Sequence, residues 1–143
     1  MTSPLQAPVQ AVRADPVGVR PDDRPGDRIA LVGLEAHGRH GVFDFERETG
    51  QLFRVDVVLG VDTRPAAASD DLADTVDYGA VARDVLGVLQ GEPVDLLETL
   101  AQRIADVCLV DDRVLWTDIT VHKPAAPIEA TFSDVALTIH RSR

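Results

Sequence analysis

The sequence predicts an α+β domain, a four-stranded antiparallel sheet carrying two helices in the order β-β-α-α-β-β. Three observations predict it. Phe53, Val55, Val57, Leu59 and Val61 share one parity while Arg54, Asp56 and Asp62 share the other, the two-residue period of a strand with one buried face. Val114–Val121 and Val135–His140 alternate in the same way. Between the early and late strands lie two consecutive segments of helical period. Strands with one wet face favour antiparallel pairing.

The elements follow in order. Residues 1–26 hold five of the nine prolines and no lasting periodicity, so they read as a disordered tail before a domain over 27–143. They lack the basic start and apolar block of a secretory signal. Ile29–Ala36 reads as the first strand, His37–Gly41 as a glycine-punctuated turn and Val42–Gly50 as a polar loop. The Phe53–Val61 strand comes next, and then a long acidic connection over Ala66–Asp74.

Asp77 suits the N-cap of a helix whose apolar stripe is Tyr78, Val81, Val85 and Leu89. Gly91-Glu92-Pro93 ends it. Asp95 and Glu98 have capping-box spacing for a second helix, with Leu97, Leu100, Ala101, Ile104 and Cys108 inward. The last two strands complete a sheet with one face for the helices. Nothing in the chain is left for the other face, which predicts pairing with further copies through open sheet edges.

At 143 residues the chain suits one domain with a real core. Lys and Arg number 14 against 24 Asp and Glu, a formal charge of −10. Such a surface repels phosphate backbones and anionic lipid, which argues against nucleic acid and membrane as partners. No apolar run approaches the roughly 18 residues of a membrane span. One cysteine rules out an internal disulfide framework and fits a cytoplasmic location.

Four polar side chains fall at element ends: Glu46, Tyr78, Glu98 and Lys123. Lys123 stands where a strand runs into the proline-stiffened loop Pro124-Ala125-Ala126-Pro127. An amine set there beside an apolar wall is suited to proton transfer. Glu98, in the first turn of a helix, offers a carboxylate next to unpaired backbone N–H groups. That combination fits the adjacent N–H groups of an amidine-like ring edge. His37, His40 and His122 admit a zinc reading, which the glycine-rich loop between the first two disfavours. Cys108 reads as a small core hydrophobe. No P-loop, no dinucleotide-binding glycine motif and no nucleophile elbow is present.

Taken together, these stretches resemble the dihydroneopterin aldolase family. The resemblance rests on Gly38-Arg39-His40-Gly41-Val42 with Glu46, Gly50-Gln51, Asp70–Tyr78, Leu96-Leu97-Glu98 and His122–Ile128, and it covers about Asp27–Ser142. It implies the tunnelling fold and an oligomeric barrel, an octamer of two stacked tetrameric rings with sites between subunits. It implies a metal-independent, cofactor-free retro-aldol cleavage of 7,8-dihydroneopterin in folate biosynthesis, with epimerase activity on the side. Lys123 would be the principal proton-transfer residue, Tyr78 would reprotonate the intermediate, and Glu46 would sit near the trihydroxypropyl chain. Glu98 would grip the pterin edge, helped by backbone groups near Val76 and Leu97.

Three alternatives stay open at the level of sequence. One is an epimerase acting on the triphosphate, which the acidic balance disfavours because a triphosphate calls for Arg or Lys clamps. Another is a zinc-dependent synthase of the same fold. The third is a non-catalytic, pterin-binding oligomeric scaffold, which would have no need of Glu46, Tyr78, Glu98 and Lys123 together.

Overall fold

The alternation around Phe53 builds the spine of the sheet. In the computed structural model, which describes residues 26–143, β2 (Gln51–Val61) is an inner strand. It pairs antiparallel with β1 (Asp27–Gly38) on one side and β3 (Trp116–His122) on the other. β4 (Ala136–Ser142) pairs with β3, giving the order β1-β2-β3-β4. The four-stranded antiparallel sheet is the one expected. The tail expected over 1–26 lies outside the described residues, Gly26 excepted.

Phe53, Val55, Val57 and Leu59 of β2 are fully buried, as are Ile119 and Val121 of β3. α3 (Tyr78–Gln90) packs Val81, Val85 and Leu89 against them. α4 (Leu97–Cys108) adds Leu100, Ala101, Ile104, Ala105 and Cys108. Each large side chain so removed from water contributes about 1.5–3 kcal/mol, so this single layer of helices on one sheet face holds the fold. Asp77 caps α3 as expected, accepting from the Ala80 N–H at 3.2 Å. Among the described residues no helix is long and apolar enough to cross a membrane.

Two helices were not expected. The stretch read as a polar loop forms α1 (Asp44–Thr49), and the acidic connection forms α2 (Arg64–Ser69) with a 3-10 turn over Leu72–Asp74. Their local signals are present: acids in the first turn of α1, Pro65 at the start of α2, three alanines after it. Six residues are too few for an apolar stripe, and α1 buries one residue while α2 buries none. The start of α4 also differs. Its N-cap is Leu96, without a side-chain cap, because the Asp95 carboxylate is drawn off to the Arg47 guanidinium.

The sheet face away from the helices is polar. Glu35 pairs with Arg54 at 3.2 Å, Thr120 with Thr138 at 2.8 Å, and Asp118 with His140 at 2.5 Å. Large exposed apolar side chains include Val32 in β1, Leu52 in β2, Val42, Phe43 and Phe45 around α1, and Leu72, Tyr78 and Leu96 at or before helix starts.

Candidate active site

Glu46 is the one buried residue of α1, and the backbone is shaped around it. Gly50 ends the helix with φ of 69°, a conformation that favours glycine, and a Cβ there would meet the Gly38 carbonyl at 2.7 Å. Gly41 lies so close that a Cβ would land on the Glu46 carboxylate. That carboxylate accepts from the Phe43 N–H at 3.2 Å, the helix-start half of a capping box. Its Oε2 accepts from Gln51 Nε2 at 3.3 Å and from Lys123 Nζ at 2.6 Å.

Lys123 follows directly on β3 and keeps the parity of Ile119 and Val121, so it faces the helix side of the sheet. The register sets Arg54 opposite His122, which brings Phe53 beside Lys123. The ammonium stands 5.9 Å from the Phe53 ring centroid. Both members of the pair are nearly dry, with 11% of the Lys123 side chain and 2% of the Glu46 side chain exposed. No other ion pair among the described residues has both partners so buried. Burial pushes the Glu46 carboxyl up, but the Lys123 ammonium and the Phe43 N–H outweigh it and leave it below the ordinary carboxylate value. At neutral pH Glu46 is therefore ionised, and its short contact to Lys123 Nζ fixes the direction of the amine at the site.

His40 braces the other side of Phe53, edge-on at 5.2 Å between ring centroids. Its Nδ1 accepts from the Val94 N–H at 3.1 Å, so Nε2 donates to the Leu89 carbonyl at 2.7 Å, and burial holds its pKa below the usual histidine value. His37 donates through Nε2 to the Thr49 carbonyl at 2.9 Å. His122 is held by Asp56 and Asp134. With these ring nitrogens engaged the three histidines do not converge, and no metal-binding cluster of three occurs among the described residues.

The remaining expected residues lie on other segments of the chain. Val76 is buried just ahead of α3, and Tyr78, the first residue of α3, is 59% exposed. Leu97 and Glu98 are the first two residues of α4, half-buried and exposed respectively. No hydrogen bond or ion pair among the described residues joins Tyr78 or Glu98 to Lys123 or Glu46. The structure thus brings two of the six together, leaves Tyr78, Leu97 and Glu98 at helix starts and buries Val76 just ahead of α3. It adds Gln51 and Phe53, which sequence reasoning gave no role. The signal for Gln51 was its parity: it falls on the buried face of β2, where a polar side chain needs a reason. The nearby arginines are already engaged, Arg39 on the Arg47 and Glu48 carbonyls and Arg47 on the Gly41 carbonyl and Asp95.

Comparisons with known proteins agree on one family. The family model described as dihydroneopterin aldolase matches residues 29–140. A dihydroneopterin aldolase of Streptomyces coelicolor is 62% identical over 117 residues, covering 82% of this chain and 98% of the relative. That of Bacillus subtilis is 37% identical over 118 residues, covering 82% and 98%. Among solved structures, E. coli dihydroneopterin aldolase in complex with neopterin superposes with a TM-score of 0.74 at 30% identity, covering 81% of this chain and 99% of that one.

Proposed function

The chain belongs to the dihydroneopterin aldolase family and has its aldehyde-lyase function; from that premise we propose how its own residues divide the cleavage of 7,8-dihydroneopterin. The buried Lys123–Glu46 pair carries the reading. Lys123 is the proton-transfer residue, and Glu46 holds its ammonium and takes part in the relay beside the trihydroxypropyl chain.

The substrate contains a C=N bond next to the reacting side chain. Protonation of that nitrogen makes the ring an electron sink. Removal of the 2′-hydroxyl proton lets the C1′–C2′ electron pair move into the ring as glycolaldehyde leaves. Tyr78 then delivers a proton to C1′, the ring nitrogen gives its proton back, and 6-hydroxymethyl-7,8-dihydropterin results. Because the substrate is its own sink, the protein supplies orientation and proton transfer without a Schiff base or a metal. Glu98 holds the amino-pyrimidinone edge through a charge-assisted pair of bonds, with backbone groups near Val76 and Leu97 completing the grip. The neopterin bound by the E. coli neighbour supports a pterin ring as ligand. Re-addition of glycolaldehyde with the opposite stereochemistry gives the epimerase side reaction.

The exposure of Tyr78, with no hydrogen bond from it to Lys123 among the described residues, supports sites shared between subunits of an oligomeric barrel, an octamer of two stacked rings. The acidic surface and buried thiol suit a cytoplasmic enzyme. The deciding experiment is product analysis with 7,8-dihydroneopterin in excess EDTA. Equal amounts of 6-hydroxymethyl-7,8-dihydropterin and glycolaldehyde are expected, at an unchanged rate. Loss of turnover restored by Zn²⁺ would refute the metal-independent route. Accumulation of the 2′ epimer as the main product would make this chiefly an epimerase.

A further inference from the structure

We propose that His122, clamped between Asp56 and Asp134 on the sheet face opposite the site, is a positioning residue that sets the orientation of Lys123. Consecutive residues at a strand end point to opposite faces. Any twist that releases His122 from its partners therefore turns Lys123 away from Glu46.

The clamp engages both ring nitrogens of His122 and is itself anchored to β1. His122 Nε2 lies 2.7 Å from Asp56 Oδ2 on the neighbouring strand. Its Nδ1 lies 2.6 Å from Asp134 Oδ2, beyond the loop that follows Lys123. The second oxygen of Asp56 accepts from the Gly33 N–H at 2.8 Å. Gly33 sits with φ of 76° at the slip in β1–β2 register, so the network reaches the bulge of β1 as well.

The base of the loop between Lys123 and Val135 is closed by two adjacent rungs. One is the Lys123 N–H donating to the Val135 carbonyl at 2.8 Å, the other the His122–Asp134 contact beside it. Loop residues Pro124–Ser133 contain no helix or strand of their own, so these rungs fix where the loop leaves the sheet. The other oxygen of Asp134 is buried without a hydrogen-bond partner, which makes that carboxylate depend on His122 for compensation.

Two carboxylates at the two ring nitrogens both call for a donor, and only the imidazolium donates from both. Asp134 and Asp56 accordingly raise the His122 pKa above its ordinary value of 6.5. The other charged groups facing it are Arg54, opposite it on β2, and Glu35 of β1, which pairs with Arg54. A histidine with a raised value keeps the double contact below 6.5 and loses it as pH climbs through that raised value. Lys123 loses its fixed direction over the same range.

The proposal rests on Lys123 being the proton-transfer residue, and the test separates the two. His122→Asn and Asp134→Asn are compared with wild type for kcat against pH, for pterin affinity by fluorescence titration and for Tm. Expected is a fall in kcat of about tenfold or more, the scale on which small misplacements of a reacting group act. Pterin affinity should stay within about twofold, since the loss falls on the chemical step. Asp134→Asn, which keeps the imidazole and removes one charge, should move the alkaline limb of kcat to lower pH. Asp134→Glu should restore part of the rate. A lower Tm with kcat and its pH profile unchanged would overturn the proposal by showing a merely structural clamp. Full activity in Lys123→Met would overturn both readings, whereas an inactive Lys123→Met beside normal His122 variants would sink the clamp alone.

Discussion

The ammonium of Lys123 lies 2.6 Å from the Glu46 carboxylate, with both side chains almost withdrawn from water. A pair of this kind gains little over apolar residues but leaves a costly orphan when one member is removed. Lys123→Met should destabilise by about 3–5 kcal/mol, with Glu46 left uncompensated. Adding Glu46→Gln should recover part of that loss, a coupling that urea denaturation of both single variants and the double variant will measure. Activity should fall by about 10²–10⁴-fold in Lys123→Met, the usual value of positioned proton transfer. A double variant no more stable than Lys123→Met would show that the pair is not coupled.

The same contact sets an acid limit. Glu46 has its folded pKa below the ordinary 4.5, so its contribution is complete above that value and is lost as pH falls through the lower, folded one. Asp56, held down by His122 and the Gly33 N–H against its burial, adds to the loss over its own, lower range. Stability should decline as pH falls below about 4.5, and the decline should be shallower in Glu46→Gln. Parallel Tm-against-pH curves for variant and wild type would contradict this.

Much of this arrangement could be read from the sequence, and what could not has a physical cause. The alternation of Phe53–Val61 settled the core face, and Asp77 announced its helix. The burial of Glu46, in a stretch read as a polar loop, left no local trace because its partner is a lysine from the far end of the chain. Asp95 looked like a cap because only the fold brings Arg47 to it. α1 and α2 escaped because six residues show no period. The parity of His122, opposite to Lys123, was visible, but the two aspartates that engage it were not.

Glu98 is exposed at the second position of α4, with no partner among the described residues. Its removal should therefore change stability by no more than about 0.5 kcal/mol. In the complex it would be half of a desolvated charge-assisted pair, so Glu98→Ala should weaken pterin binding by about 2–5 kcal/mol. Fluorescence titration with a pterin reads this directly. Unchanged affinity would mean that the ring edge is held elsewhere.

Tyr78 is exposed and makes no hydrogen bond to Lys123 among the described residues, which bears on how many chains make one site. If one subunit supplies the tyrosine and its neighbour supplies Lys123 and Glu98, head-to-tail contacts give each site one part from each chain. Lys123→Ala and Tyr78→Phe should each be impaired alone. Co-expressed in equal amounts and assembled at random, roughly a quarter of the sites should hold both intact residues, because each contributing chain is right half the time. Activity of the mixture should then rise above the mean of the two variants toward that fraction of wild type. Were both residues drawn from one chain, no mixed assembly could reunite them, and the mixture would show the mean alone. Rates measured on co-purified, differently tagged chains distinguish the two cases, since only a shared site gains from mixing.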